Sequence, residues 1–227
     1  MLDDPRDGVL LKLDARITAG SIAWFGERHG TVESPRFVGD VVDQVARRWP
    51  VRLALELPRD LNIERREGAF WRWRDGRSSV AMVDLIDRVR ARGIDIVAFD
   101  VASDEDVDAN TREAAMADRI VAAHDPSGVL VVLSGNVHSR RVRGAPWDAD
   151  LVPAAAHVAA RGLPLATFDV AANGGTFWAT MEHTGVHDNC VDDDGEPWTF
   201  GPPRDDTHDG VYRVGPTTAS PPAIDVS

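Results

Sequence analysis

The apolar residues of the chain fall into short runs that are separated by segments with helical spacing. Runs rich in β-branched residues occupy 21–25, 51–55, 94–99, 129–133 and 164–168. Near-continuous apolar runs of this length are typical of strands that are covered on both faces. We therefore predict five buried strands, of which the second ends at Glu56 and the third at Asp100.

Between these strands, apolar residues recur at helical spacing over 34–46, 79–91, 110–123 and 151–160. Ser34 followed by Pro35 predicts an N-cap with proline in the first turn. Strand–helix alternation of this kind predicts an α/β fold with three layers, in which helices flank a central, mostly parallel β-sheet. The active site of such a fold is expected at the carboxyl edge of the sheet.

The pattern changes after residue 171. The sequence Asn173-Gly174-Gly175 predicts a turn, 176–181 a short strand and 211–214 one late strand. We predict a single domain over 1–227, with a core over about 21–181 and an acidic, Gly/Pro-rich C-terminal extension over about 190–227.

The composition of the chain limits the kinds of partner and the compartment that we expect for it. The formal net charge of -12 disfavours binding to nucleic acid and to anionic membranes. The single cysteine, Cys190, excludes an internal disulfide framework and fits a reducing compartment. The polar N-terminus predicts no signal peptide, and no apolar run is long enough to cross a bilayer. We expect a cytoplasmic protein with a small-molecule substrate, and the sequence does not indicate its oligomeric state.

Chemically capable side chains follow four of the predicted strands. They are Glu27 and His29, then Glu56, then Asp100, then Asn136 and His138. Parallel strands end at the same edge of a sheet, so these side chains are expected to share one pocket. Such a set suits metal binding or general acid–base hydrolysis. Caps and turns at strand ends would explain Asp100 and Asn136 alone, but they account poorly for the two histidines.

Four motifs resemble one superfamily. They are Gly26-Glu27-Arg28-His29-Gly30, Leu55-Glu56-Leu57-Pro58, Arg112-Glu113-Ala114-Ala115-Met116-Ala117 and Gly135-Asn136-Val137-His138. Their order and spacing, from about residue 21 to about residue 179, resemble the erythromycin esterase/ChaN/Tiki superfamily, which shares G-E-x-H, E-x-P, R-x-x-x-M-A and N-x-H elements. This resemblance implies a largely parallel α/β fold with its site at the carboxyl edge.

The resemblance to erythromycin esterases implies hydrolysis by water that a histidine and a glutamate activate. Carried onto this chain, His29 would be the base, with Glu56 or Glu27 as its partner. His138 would be a second acid–base group, and Arg112 would be an electrophilic clamp. From the residues alone, Arg112 could instead pair with a nearby acid, Asp106 or Asp108. We predict a hydrolase of an ester or amide bond in a small or medium organic substrate.

Two alternatives follow from the same resemblance. One is a haem-binding protein like ChaN, although the one tyrosine, Tyr212, lies far from the motifs. The other is a metal-dependent protease like Tiki, in which His29, Glu56 and His138 would hold a divalent metal. The chain lacks an H-E-x-x-H helix motif, and we favour a metal-free site with no assigned cofactor.

Further residues are predicted to bind the substrate: Arg28, Asp100, Asn136, Trp71 and Trp73. The aromatic segment 70–74 has two interpretations, a lid or apolar wall over the site and a helix that packs its aromatics on the sheet.

Three other features of the sequence give weaker indications of function. His183, His187 and Cys190 form a further candidate metal site, in a segment that has the composition of a loop. His208, in the acidic tail, is expected to be solvated. The absence of a G-x-S-x-G motif argues against a serine nucleophile.

Overall fold

The structure, a computed structural model, describes residues 12–224. The polar N-terminus and the last three residues of the predicted extension lie outside this range. Within it the chain forms eight strands: β1 Ile22–Glu27, β2 Val51–Pro58, β3 Ile96–Asp100, β4 Val129–Gly135, β5 Leu165–Thr180, β6 Thr184–Asp188, β7 Thr199–Gly201 and β8 Gly210–Thr217. The α-helices of the described range are α1 Glu33–Val45, α2 Val80–Arg90, α3 Ala109–Ala123 and α4 Ala154–Ala159.

The central sheet has the strand order β3-β2-β4-β1-β5-β8-β7, and β6 pairs with β5 outside this path. All neighbours from β3 to β8 are parallel, whereas β6 and β7 pair antiparallel with β5 and β8. This arrangement confirms the predicted α/β fold with a mostly parallel central sheet.

Each central strand contributes to two cores because its side chains alternate between the faces of the sheet. In β1, Ala23 and Phe25 join the core with α1 and α2, whereas Ile22 and Trp24 join the core with α3 and α4. All four side chains are fully buried. The helices therefore cover both faces, which leaves the strand ends as the place for a site.

The starts of two helices follow the expected chemistry, and one does not. Ser79 caps α2 and Asp108 caps α3, each accepting a hydrogen bond from a backbone amide in the first turn. The predicted cap at Ser34 is wrong, since α1 begins one residue earlier, at Glu33. The Ser34 hydroxyl accepts a hydrogen bond from Thr31 instead, at 3.0 Å.

The predicted turn at 173–175 is also wrong, because β5 runs through it without ending. Gly174 and Gly175 have positive φ angles, 72° and 95°, and the pairing of β5 with β8 shifts register there. A Cβ at Gly175 would collide with the backbone of Thr217. These glycines therefore allow an irregularity within a long strand, which local composition alone does not distinguish from a turn.

Residues of the predicted C-terminal extension complete the sheet. The late strand predicted at 211–214 is confirmed as part of β8. Tyr212 is buried and stacks on Phe37 of α1, with 3.5 Å between the ring centroids. The core thus reaches beyond residue 181.

His208 lies in this region, and its expected solvation is wrong because only 8% of it is exposed. Its Nε2 lies 2.8 Å from the hydroxyl oxygen of Ser139, and its Nδ1 lies 2.9 Å from that of Thr207. Burial lowers the pKa of His208 to about 4. The folded protein therefore holds this histidine in its neutral form.

We expect His208 to make the fold sensitive to acid. Its pKa in the fold lies below the ordinary value of 6.5, so its contribution is complete above pH 6.5 and is lost as the pH falls towards 4. The free energy of unfolding is expected to fall by about 3 kcal/mol over this pH range. Denaturant unfolding at pH 7 and pH 4.5 measures it, and we expect a smaller difference for His208→Gln than for wild type. The exposed His183→Gln is the control; equal pH dependence in all three proteins would contradict the prediction.

Candidate active site

The carboxyl ends of four neighbouring strands bring the predicted site residues together. In the order β3-β2-β4-β1, these ends carry Asp100, Glu56, Gly135 and Glu27. A cavity of about 420 Å³ opens at this edge, and His29, Glu56, Arg112 and His138 are among the residues that line it. A cavity of about 530 Å³ at the opposite edge has no histidine in its lining.

Carboxylates and imidazoles alternate along the floor of the cavity. Nδ1 of His29 lies 3.1 Å from Oε1 of Glu27, and its Nε2 lies 3.3 Å from Oε2 of Glu56. Nε2 of His138 lies 3.5 Å from Oε1 of Glu56, and its Nδ1 lies 2.6 Å from Oε1 of Glu113. We call Glu27, His29, Glu56, His138 and Glu113 the carboxylate–imidazole chain. Both candidate partners of His29 thus contact it, one on each ring nitrogen.

Glu56 is the centre of this chain. Its Oε2 accepts a hydrogen bond from the amide of Gly135 at 2.7 Å. Its Oε1 accepts from Nη2 of Arg112 at 3.0 Å and from Nη1 of Arg77 at 3.3 Å. Although burial alone would raise the pKa of Glu56, the charges of His138 and His29 hold it well below its ordinary value. Glu56 is therefore a carboxylate throughout the physiological pH range.

Arg112 is fixed by acids at the site and not by the acids near it in sequence. Its Nε and Nη2 donate to the two carboxylate oxygens of Asp100 at 2.8 and 2.7 Å. Asp108 instead caps α3. Nη1 of Arg112 has no hydrogen-bond partner within residues 12–224, and 28% of the side chain is exposed. Arg112 is thus rigidly held, with the two N–H donors of Nη1 left over.

Neighbouring carboxylates set the protonation state of His29 and His138. Burial alone would lower the pKa of each imidazole, but Glu56 and a second carboxylate raise the pKa of His29 to about 10 and that of His138 to about 9. In the free site both imidazoles therefore carry a proton at pH 7. A histidine must be neutral to act as a base, and His29 is not neutral at pH 7 because it is flanked by Glu27 and Glu56 together.

Glu27 lies deepest in the chain of groups. It is buried, and burial raises its pKa despite the neighbouring His29. Its Oε2 has no hydrogen-bond partner among the described residues. Glu27 is thus placed to orient His29 and not to contact a substrate.

Glu113 and Arg77 belong to the site although the sequence pattern predicts no role for either. Glu113 holds Nδ1 of His138, and its Oε2 accepts from the amide of Ala154 at 2.7 Å. An acid at position 113 on the stripe formed by Met116, Ala117 and Ile120 is a signal that could have identified it, because this stripe is buried. Arg77 lies in an irregular segment and offers no comparable signal.

The aromatic segment packs on the core and does not form a lid. Trp71 is fully buried, and Trp73 packs against the same core. The guanidinium of Arg77 lies over the Trp73 ring, 4.9 Å from its centroid. Neither tryptophan is among the residues that line the cavity. The predicted contact of these two residues with substrate is therefore corrected: Trp73 supports Arg77, and Trp71 belongs to the core.

Of the other predicted substrate-binding residues, one lines the cavity and two make structural contacts. Asn136 is exposed and lines the cavity, and its contact with substrate stays a prediction. Asp100 is buried and anchors Arg112 and Arg77. Arg28 lies outside the cavity lining, with Nη2 at 3.2 Å from the Cys190 sulfur and its guanidinium over the Phe177 ring. Asp100 and Arg28 are thus corrected to structural contacts.

Gly26 and Gly30 lie on either side of Glu27 and His29, and each position requires glycine for a separate physical reason. A Cβ at Gly26 would collide with the hydroxyl of Ser139. Gly30 has a φ of 78°, and a Cβ there would collide with the carbonyl oxygen of Trp178. Any side chain at either position would therefore displace the segment that carries His29.

The side chains, as arranged, do not fit a metal ion. Within residues 12–224 no group of three His, Cys, Asp or Glu side chains is placed to hold a metal. Glu56 lies between the two Nε2 atoms, and arginine and amide donors engage its oxygens. Tyr212, the one tyrosine of the chain, is buried in the core and is therefore not available as a haem ligand. On the β5–β6 hairpin, the rings of His183 and His187 lie 4.3 Å apart, and His187 Nε2 faces backbone carbonyls.

No helix in the described part of the chain is both long and apolar enough to span a membrane. No family model and no curated protein matches the sequence. The fold is similar to that of a protein from Bacillus cereus, with a TM-score of 0.68 and 10% identity, covering 92% of this chain and 91% of that chain.

A structure described as a succinoglycan biosynthesis protein is also similar, with a TM-score of 0.65 and 9% identity, covering 91% of this chain and 90% of the other. At such low identity these likenesses establish a shared fold and nothing about activity. The resemblance to the erythromycin esterase/ChaN/Tiki superfamily stays a prediction.

Proposed function

We propose that the protein is a hydrolase that cleaves an ester or amide bond in a small or medium organic substrate. The observation that carries this proposal is the carboxylate–imidazole chain at the floor of an open cavity. Two imidazoles there share one central carboxylate through Nε2, and each has its own carboxylate on Nδ1. This arrangement supplies two acid–base groups of fixed orientation.

In the proposed reaction, one imidazole is neutral and removes a proton from water as the water attacks the carbonyl carbon. The other imidazole is protonated and donates its proton to the leaving oxygen or nitrogen. Glu27 and Glu113 keep a proton on each Nδ1, so that Nε2 is the working atom in both rings. The free Nη1 of Arg112 stabilises the oxyanion of the tetrahedral intermediate. No step requires a cofactor.

This mechanism predicts an alkaline pH optimum. The working state has one proton on the pair of imidazoles, and the pair loses its protons with pKa values of about 9 and about 10. We expect kcat/KM to rise about 50-fold from pH 7 to pH 9 and to fall above pH 10, when the second imidazole loses its proton. Initial rates across pH 6 to 11 measure this profile.

The test is a screen of carboxylic esters and amides with purified protein, followed by that pH profile. A serine-directed phosphonate is the control, because the proposed mechanism uses water and no serine nucleophile. Hydrolysis that resists the phosphonate and has an alkaline optimum supports the proposal. Hydrolysis that the phosphonate abolishes, or whose rate levels off near pH 7, belongs to another mechanism and contradicts it, as does the absence of any hydrolysis across the screen.

A further inference from the structure

We infer that the substrate carries a flat apolar group, such as an aromatic ring, which lies on the indole of Trp147 at the mouth of the cavity. This inference rests on the proposed function, since it names the class of substrate for the same site. It begins from a tryptophan that no motif includes. Trp147 lines the cavity and is 75% exposed.

Trp147 differs from the other tryptophans of the chain. The chain has seven, and the other six are buried or half-buried. Large aromatic side chains contribute most to stability when they leave water, so a tryptophan held in solvent contributes little to the fold. An exposed aromatic at the mouth of a cavity is instead suited to binding.

The backbone holds Trp147 in this exposed position. Residues 145–148 form a tight turn, in which the amide of Ala145 donates to the carbonyl of Asp148 at 2.7 Å and the reverse bond measures 3.2 Å. The amide of Gly144 donates to the carbonyl of Leu151 at 2.8 Å. These bonds fix both sides of the turn, so the exposure of Trp147 is a feature of an ordered loop and not of a frayed one.

The cavity has two zones with different chemistry. Its floor is the carboxylate–imidazole chain with two arginines, whereas Trp147 is accompanied in the lining by Val137, Leu151 and Ala109. Asp148 also lines the cavity, and its carboxylate disfavours an anionic group beside the indole. The arrangement fits a substrate with its scissile carbonyl at the floor and a neutral, apolar ring at the mouth.

The experiment compares methyl phenylacetate with methyl acetate, which share a leaving group and differ by the ring. We expect wild type to favour methyl phenylacetate, and Trp147→Ala to reduce the ratio of the two kcat/KM values about 10-fold, mainly through KM. Trp147→Phe retains a ring and is expected to keep most of the preference. Met181→Ala is the matched control, since Met181 is 63% exposed and lies outside the cavity lining.

The outcomes separate the inference from the proposed function. Alkaline hydrolysis of both esters with the same ratio in wild type and Trp147→Ala overturns the inference and leaves the hydrolase in place. Self-association that Trp147→Ala abolishes, with no change in this ratio, also overturns it. If wild type hydrolyses neither ester, calorimetric binding of phenylacetamide decides: tighter binding to wild type than to Trp147→Ala supports the ring site, and equal binding or none overturns it.

Discussion

Replacing Glu56 by glutamine is expected to destabilise the fold by about 3–5 kcal/mol and to remove nearly all hydrolysis. Glu56 is buried and is in contact with two arginines and two protonated imidazoles. Without its charge, these four cations would face one another with fewer compensating carboxylates. The amide nitrogen of glutamine would also point a donor at groups that are themselves donors. Denaturant unfolding at pH 7 measures the stability, and initial rates at pH 9 measure the activity.

The matched control is Glu64→Gln, because Glu64 is 77% exposed in its side chain and pairs with Arg90 at the surface. Its effect on stability is expected to stay below about 0.5 kcal/mol. A second readout follows the histidines directly. The pKa of His138, about 9 in wild type, is expected to fall towards its ordinary value in Glu56→Gln, as followed by imidazole proton resonances. Unchanged stability together with an unchanged His138 pKa would contradict the central role of Glu56.

Replacing His29 by glutamine is expected to lower kcat/KM by about 1000-fold while the protein stays folded. Glutamine retains a hydrogen-bonding side chain between Glu27 and Glu56 but cannot transfer a proton. The same loss is expected for His138→Gln. Since the two imidazoles share Glu56 and act as a unit in the proposed mechanism, the double variant is expected to lose no more than either single variant. Rates at pH 9 measure all three proteins.

His183→Gln is the control for these variants, because His183 is exposed on the β5–β6 hairpin away from the cavity. It is expected to retain full activity. The prediction fails if His29→Gln hydrolyses the substrate at the wild-type rate. Losses that multiply in the double variant would show that the two histidines contribute independently and not as a unit.

The strands and the convergence of their ends were predictable because they depend on burial. A strand covered on both faces needs an apolar run. A polar residue that follows such a run therefore identifies the end of the strand, as Glu27, Glu56 and Asp100 do for three strands. The sharing of one edge then follows from parallel topology. The sequence therefore places most of the candidate site without knowledge of any contact.

The protonation of the site and the contacts of its arginines could not be predicted in the same way. The protonation of His29 depends on two carboxylates, one nearby in sequence and the other 27 residues away, and only their distances show that both contact the ring. The partner of Arg112 was a choice among several acids. Arg77 comes from an irregular segment and is positioned by stacking on Trp73, an interaction that has no periodic signature.

The position of β1 has a consequence for the synthesis of the protein. Ile22 pairs with Leu130 on one side and with Leu165 on the other, so β1 leaves the ribosome well before its partners, which follow more than one hundred residues later. A nascent chain that lacks β4 and β5 cannot bury β1 or bring His29 to Glu56 and His138. The candidate site is therefore a late product of folding, and the growing chain must keep an apolar strand from aggregating until its neighbours emerge.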